Sequence, residues 1–203
     1  MPTFTVIDNH SVDLSLLTNR PVLDAGCRGF RFTRFFAGLG HTVLAMDPAP
    51  ETYVPDDLRQ TPHVRFYKTA LVGPSHPRQA YLRMTEDPEA RHVQKSRESE
   101  GDPLVHCMTL ADVMNATYRE WDLVKLNIEG GEFDILATWP GPIARQIVVS
   151  FHEHTPQARG RSAIDYLIEH LAKWYDVHNH VWEKRYGCSE NYWDTVLIRK
   201  GGA

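Results

Sequence analysis

Polar residues that could do acid–base chemistry follow directly after two apolar runs of the sequence. The first run leads to Glu129 and Glu132, which flank a pair of glycines, and the second, residues 146–151, leads to His152 and His154. Histidine is the side chain whose ordinary pKa best suits proton transfer at neutral pH. We therefore predict that His152 or His154 acts as a base, with Glu129 orienting the base or a substrate.

The same histidines could also bind a metal ion. His152 and His154 are two residues apart, so on an extended strand they share one face, and Glu129 could complete a site for a divalent cation. A chain with eleven histidines places two at this spacing often by chance, however. The metal is therefore the less favoured interpretation, and we expect none.

The residues around Glu129 require a strand and a helix to position them. Residues 123–128 form a nearly continuous apolar run, which predicts a strand covered on both faces, as in a parallel sheet. Ligands of such sheets collect at the carboxyl ends of the strands. A purely structural interpretation is that Glu132 only complements the first turn of the following helix and that Lys125 forms a structural ion pair.

An earlier stretch predicts a second binding element at the same edge of the sheet. Residues 22–24 read as a strand, Gly26 and Gly29 as a turn, residues 30–39 as a helix and residues 42–46 as the next strand, which ends at Asp47. This order is the βαβ plan of a nucleotide-binding half. Glycines let the backbone approach a ligand closely, and the Asp47 carboxylate could accept hydrogen bonds from ribose hydroxyls. The alternative is a structural turn.

Length and composition limit the remaining possibilities. The chain has 203 residues, 42% of them hydrophobic, which suits one well-buried domain. A net charge of −4 gives no support for nucleic-acid binding. The three cysteines are widely spaced, and no apolar run is long enough for a membrane span. We expect a soluble cytoplasmic protein of unspecified oligomeric state.

Two groups of residues resemble a known family. Residues 22–29 and 45–48 look like the first two motifs of class I S-adenosylmethionine-dependent methyltransferases, and residues 122–132 are similar to the central motif of the FkbM family. The resemblance runs from about residue 21 to residue 199. It implies a Rossmann-like three-layer α/β sandwich with a mostly parallel seven-stranded sheet and an antiparallel final strand.

The resemblance also implies contacts with S-adenosylmethionine. The loop after the first strand would line the methionine end of the cofactor, Asp47 would hold the ribose and Ala70-Leu71 would lie near adenine. Cys27 has a second interpretation, as a small side chain that fills the turn. The implied cofactor-binding residues are Asp24, Gly26, Cys27, Gly29, Phe30, Asp47, Pro48, Ala70, Leu71 and Asn127.

The chain departs from the family pattern at two positions. The family usually has a glycine six residues after the first acid, where this chain has Phe30, so the loop is shortened or its register differs. Asn127 replaces an aspartate in the central motif. Because an amide cannot act as a carboxylate base, Asn127 is expected to orient a substrate or cofactor rather than to take a proton.

The sequence therefore predicts an O-methyltransferase that acts on a hydroxyl of a small molecule, by resemblance a sugar or glycosylated metabolite. One alternative is a catalytically idle binding module that retains the cofactor fold, which the two departures favour. Another is an NAD-dependent oxidoreductase built on the same βαβ plan. The central motif and the expected antiparallel final strand argue against the oxidoreductase.

The predicted domain organisation has two parts. Residues 1–20 form an N-terminal strand and helix extension, and residues 21–203 form the methyltransferase domain. A charged insertion interrupts the domain at about residues 74–101. Within it, residues 86–100 are expected to form a solvated loop or, alternatively, a lid that faces the substrate.

Overall fold

The computed structural model describes residues 2–85, 91–152, 161–184 and 191–201. Strands are numbered β1 to β13 and helices α1 to α5 along the chain. The core of the fold is a seven-stranded sheet. Its strands in spatial order are β12 (Tyr175–Lys184), β13 (Asn191–Arg199), β11 (Ala144–His152), β10 (Trp121–Leu126), β3 (Val22–Ala25), β4 (Val43–Met46) and β5 (Val64–Tyr67).

Most neighbouring strands of this sheet run in the same direction. β11, β10, β3, β4 and β5 are parallel, whereas β13 is antiparallel to both β11 and β12. Every residue of β3, β4 and β10 is buried, which explains their largely apolar character. The predicted mostly parallel sheet with an antiparallel final strand is confirmed.

Helices cover both faces of the sheet and give the three-layer sandwich expected from the sequence. α3 (Leu110–Ala116), α4 (Glu132–Ala137) and α5 (Arg161–Leu171) contribute to one apolar core. α1 (Arg31–Gly38) and α2 (Asp56–Arg59) contribute to a second core. Within the described part of the chain, no helix has the length and apolar character needed to cross a bilayer.

Alternate residues of the central strands separate these two cores. Leu23 and Val124 pack in the first core, and their neighbours Val22 and Leu123 pack in the second. Because successive side chains of a strand point to opposite faces, the two cores lie on opposite sides of the sheet. Burial on both faces makes the central strands a rigid support for the loops that follow them.

The N-terminal residues form a hairpin that is fastened to the main sheet. β1 (Phe4–Ile7) and β2 (His10–Asp13) pair in antiparallel fashion and lead into a 3-10 helix, Leu14–Leu16. The Asp13 backbone N–H donates to Gln146 Oε1 at 2.9 Å, and Gln146 Nε2 donates to the Asp13 carbonyl at 2.7 Å. The extension therefore packs on the sheet through buried polar contacts.

The predicted insertion contributes to a second, smaller sheet. Its four strands in spatial order are β6 (Ala70–Val72), β9 (Leu104–Thr109), β7 (Gln79–Leu82) and β8 (Val93–Gln94). The Asp102 carboxylate accepts hydrogen bonds from the backbone N–H groups of Met84 and Ser99 and from Gln94 Nε2. Much of the segment expected to be loop or lid thus has local structure, and residues 86–90 lie outside the described part of the chain.

Candidate active site

A cavity of about 580 Å³ opens beside the carboxyl ends of β3, β4 and β10. Its volume falls within the range of roughly 300–1,000 Å³ that is usual for cofactor and small-molecule sites. The predicted site residues that line it are Gly26, Gly29, Asp47, Pro48, Ala70, Leu71, Asn127 and Glu129. The predicted residues that are buried without lining it are Asp24, Cys27, Phe30 and His152.

The loop after β3 requires glycine at one position. Gly26 has a φ of 80°, and a Cβ added there would lie 1.8 Å from the backbone oxygen of Asn127. A side chain at this position would therefore push apart the ends of β3 and β10. At Gly29 an added Cβ would have no neighbour within 4 Å, so packing against the protein does not require glycine there.

Phe30 occupies the position where the family pattern has a glycine. Its φ is 53°, in the left-handed region that glycine tolerates best, and it immediately precedes α1. Such a conformation costs a bulky residue about 1 to 3 kcal/mol. The ring is buried and packs edge-on against Phe66, with centroids 5.5 Å apart, which offsets that cost. The turn thus has a residue in the left-handed conformation at this position although the residue is not a glycine.

The buried Asp24 side chain stabilises this loop through hydrogen bonds. Its Oδ1 accepts a hydrogen bond from Lys125 Nζ at 2.9 Å, and its Oδ2 accepts one from Thr33 Oγ1 at 2.6 Å. Lys125 Nζ also donates to the Gly26 carbonyl at 2.7 Å. We call Asp24, Thr33 and Lys125 the Asp24 cluster. Burial raises the pKa of the neighbouring Cys27 thiol well above its ordinary value, so Cys27 fills space as a neutral group.

Asp47 lies at the end of β4 and lines the cavity. Its Oδ1 accepts hydrogen bonds from the Ala49 backbone N–H and from Thr52 Oγ1, both at 2.9 Å. Burial raises the pKa of the Asp47 carboxyl, while these two bonds and the charges of Lys125 and Arg28 oppose the rise. The carboxylate is thereby fixed in a position from which it can accept hydrogen bonds from a ligand.

The cavity also offers groups suited to the rest of a nucleoside cofactor. Ala70, Leu71 and Met46 supply an apolar wall on which a purine could pack. Asn127 Oδ1 is buried and has no hydrogen-bond partner within the described residues. Buried oxygens in folded proteins are nearly always bonded, so this one fits a donor on a bound molecule. These residues fit S-adenosylmethionine, with Asp47 as the acceptor for the ribose.

A second charged cluster lies beside the cavity, at the loop that follows β10. Glu132 Oε1 accepts from the Ile128 backbone N–H at 2.8 Å and lies 2.9 Å from His152 Nδ1, while its Oε2 accepts from the Gly130 N–H at 2.6 Å. His152 Nε2 lies 3.2 Å from Glu129 Oε1. We call Glu129, Glu132 and His152 the His152 cluster. Only its Glu129 lines the cavity.

The two glutamates determine the charge of His152. Burial alone lowers the pKa of this imidazole, but the charges and hydrogen bonds of Glu132 and Glu129 outweigh burial and raise it to about 10. At neutral pH the ring is therefore an imidazolium whose two N–H groups donate to the two carboxylates. A protonated ring cannot take a further proton. The protonated ring could position Glu129, and the assignment of the base to His152 or His154 stays a prediction.

The less favoured interpretation, a metal site, would use His152, His154 and Glu129, and the structure does not describe all three. His154 lies outside the described residues. Among those described, no group of three or more His, Cys, Asp or Glu side chains has the geometry to hold a metal ion. His152 has Glu129 and Glu132 beside its two ring nitrogens.

Several cavity residues were not among the predicted site residues. These are Arg28 in the first loop, His76, Asp134, and Arg91 and His92 in the insertion. Arg91 forms an ion pair with Glu51. The sequence patterns had singled out the first loop and the charged run of residues 86–100 as segments, but not these side chains. No local signal pointed to His76 or Asp134, which contacts between distant parts of the chain bring together.

The comparison with known families gives one match. The sequence matches the family described as "Methyltransferase FkbM domain" over residues 24–184, which is most of the chain. No curated protein matches this sequence.

Solved structures with a similar fold are distant in sequence. A putative rRNA methylase from Clostridium thermocellum is 12% identical, with 91% of this chain and 89% of that chain covered and a TM-score of 0.49. The N-methyltransferase NodS from Bradyrhizobium japonicum is also 12% identical, with coverages of 92% and 89% and a TM-score of 0.49. A TehB-like methyltransferase from Corynebacterium glutamicum is 16% identical, with coverages of 91% and 82% and a TM-score of 0.45. The family assignment rests on the sequence match alone.

Proposed function

The chain belongs to the FkbM methyltransferase family, and we propose that it methylates a hydroxyl group of a small molecule. The methyl donor of this family is S-adenosylmethionine, a sulfonium whose methyl carbon is already a strong electrophile. The protein must therefore bind the donor, orient the acceptor oxygen and help to remove its proton. The cavity at the carboxyl ends of β3, β4 and β10 is the site for these tasks.

The observation that carries the proposal is the placement of Glu129. Its carboxylate belongs to the cavity lining, and one of its oxygens lies 3.2 Å from the ring of His152. A carboxylate held in this way can accept a hydrogen bond from an acceptor hydroxyl and fix the direction of its lone pairs. An amine acceptor that is charged at neutral pH has no lone pair to offer until it loses a proton. Glu129 therefore suits a hydroxyl.

The acceptor that we favour is a sugar or a glycosylated metabolite. The cavity combines carboxylates at Asp47, Asp134 and Glu129 with the amide of Asn127. Such a set of acceptors and donors is suited to a molecule with several hydroxyl groups. An acceptor without hydrogen-bond donors would offer no partner to the Glu129 carboxylate at the cavity, which disfavours its binding.

The first experiment is a calorimetric titration of the purified protein with S-adenosylmethionine and, separately, with NAD. We expect the protein to bind only S-adenosylmethionine. The Asp47→Ala variant should lose this binding, because it lacks the carboxylate that accepts from the ribose. Asp57→Ala, which removes an exposed carboxylate of α2, is the matched control and should bind as the wild type does.

The second experiment identifies the acceptor group. The protein is incubated with S-adenosylmethionine and a panel of sugars and glycosylated metabolites, together with amino analogues of the same molecules, and methylated products are detected by mass spectrometry. We expect methyl transfer to a hydroxyl. Faster transfer to the amino analogues would contradict O-methylation, and cofactor binding without any turnover would favour the idle binding module.

A further inference from the structure

His76 is a further residue of the cavity lining. It follows β6, and its backbone N–H donates to the Gly73 carbonyl at 3.1 Å, which closes a tight turn. The turn places His76 in the cavity lining, to which Glu129 also belongs. The His76 side chain is only 9% exposed, and its Nδ1 is buried without a hydrogen-bond partner among the described residues.

The turn is possible because of close packing between Gly73 and the start of α4. A Cβ added at Gly73 would lie 2.3 Å from the Cβ of Asp134. Glycine therefore lets the backbone after β6 touch α4, and this contact places His76 Nδ1 3.7 Å from Asp134 Oδ2. Ser75 Oγ donates to the same carboxylate oxygen at 3.5 Å. The result is an imidazole and a carboxylate that face each other at the cavity.

The electrostatic surroundings of His76 are the reverse of those of His152. Burial lowers the pKa of His76 and the charge of Lys95 lowers it further, while the charge of Asp134 opposes both effects without cancelling them. His76 is therefore a neutral imidazole at neutral pH, since the ordinary histidine value is about 6.5. A neutral imidazole has a lone pair that can accept a proton.

We propose that His76 is the base that takes the proton from the acceptor hydroxyl, with Asp134 as the residue that positions it. The inference rests on the proposed function. The acceptor oxygen forms a bond to the methyl carbon while the bond between that carbon and sulfur breaks, and the electron pair of the broken bond stays on sulfur. The hydroxyl proton passes to the imidazole, whose new positive charge Asp134 stabilises, and then leaves to solvent.

The test compares the wild type with His76→Gln in both activity and pH dependence. Because proton removal by a positioned base contributes typically 10²- to 10⁴-fold, we expect kcat to fall by at least about 100-fold. The affinity for S-adenosylmethionine, measured by calorimetry, should change less than about twofold. The wild-type kcat should fall at acidic pH with a midpoint below about 6.5, and this limb should be absent in the variant. His106→Gln, an exposed histidine of β9 outside the cavity lining, is the matched control.

A second measurement needs no catalysis. Titration of the imidazole carbon signals by NMR, with His76 assigned by comparison with His76→Gln, should give His76 a pKa below the ordinary histidine value. In Asp134→Asn the midpoint should fall further, because the opposing charge is gone, and kcat should drop about tenfold as the imidazolium loses its partner.

Two results would overturn the inference. A wild-type kcat and acidic limb that persist in His76→Gln would exclude His76 as the base and leave the proposed O-methylation standing. A His76 pKa well above neutral pH would leave the ring protonated there and would exclude it as the base. A protein that binds S-adenosylmethionine but methylates no hydroxyl acceptor would overturn the proposed function and the base together.

Discussion

The Asp24 cluster and the His152 cluster are both buried at the carboxyl end of β10, yet they differ in net charge. In the Asp24 cluster one carboxylate meets one ammonium, and each oxygen of the carboxylate has a donor. In the His152 cluster two carboxylates share one imidazolium. Each cluster has one member in the cavity lining, Lys125 in the first and Glu129 in the second. The first cluster is electrically balanced, and the second keeps an excess negative charge at the cavity.

This difference separates a structural role from a chemical one. A buried ion pair whose charges balance acts chiefly by fixing the backbone around it. A cluster with surplus charge at a cavity is the arrangement that can orient or activate a substrate. Mutations in the Asp24 cluster should therefore reduce stability most, and mutations in the His152 cluster should affect turnover more than stability.

The largest effect on stability is expected for Lys125→Met. The variant leaves Asp24 as a buried carboxylate without its counterion, and removing one partner of such a pair typically costs about 3 to 5 kcal/mol. Urea unfolding followed by tryptophan fluorescence measures the change. Arg34→Met, which breaks an exposed ion pair with Asp57, is the control and should have little effect. Equal losses in the two variants would contradict the role given to the Asp24 cluster.

The next largest effect is a dependence of stability on pH that comes from His152. Its pKa is about 10 in the folded protein, above the ordinary value of 6.5, so its contribution is complete below pH 6.5. It is lost progressively as the pH rises from 6.5 to 10. Unfolding free energies measured across this range should show the decline in the wild type. In His152→Gln the decline should be absent, and a decline of the same size there would assign it to other groups.

A smaller effect distinguishes two threonines that each donate to a buried aspartate. Thr33→Val removes the donor to Asp24 and should cost about 1 to 2 kcal/mol of stability, with unchanged affinity for S-adenosylmethionine. Thr52→Val removes a donor to Asp47, which lines the cavity, and should weaken that affinity several-fold. Urea unfolding measures the stability of both variants, and calorimetric titration measures their affinity for S-adenosylmethionine. Loss of affinity in Thr33→Val with unchanged affinity in Thr52→Val would contradict the roles given to the two aspartates.

The smallest effect on stability, with a clear effect on turnover, is expected for Glu129→Gln. The amide oxygen can still accept a hydrogen bond from His152, so the cost in stability should be about 1 kcal/mol or less. The negative charge at the cavity is lost, and kcat should fall at least about tenfold. Steady-state kinetics beside urea unfolding tests this separation. A variant that loses stability and keeps its wild-type kcat would show that Glu129 has a structural role.

Local patterns in the sequence were sufficient to predict the fold and the edge of the sheet where the cavity lies. Unbroken apolar runs, glycine-containing turns and strand-end acids at Asp47 and Glu129 depend on residues close together in the chain. The left-handed conformation of Phe30 could not be predicted, because it depends on packing against Phe66. The proton on His152 could not be predicted either, because Glu132 lies 20 residues away in sequence and reaches the ring only in the folded chain.

His76 was missed for the same physical reason. Its contact with Asp134 joins residues that are 58 positions apart, and only the absence of a side chain at Gly73 permits it. A glycine three residues before a histidine is too common to predict such a contact from sequence. The placement of Asp24 also required the structure, since its carboxylate is engaged by Lys125 and Thr33 and does not reach the cavity.

The internal bracing of the insertion by Asp102 has a consequence for protein engineering. The donors that this carboxylate binds, at Met84, Gln94 and Ser99, all come from a single contiguous stretch of the chain. Arg91, His92 and Val93 of that stretch line the cavity, whereas the residues at the ends of β3, β4 and β10 belong to the main sheet. An exchange of this stretch between relatives would therefore change Arg91, His92 and Val93 of the cavity lining together.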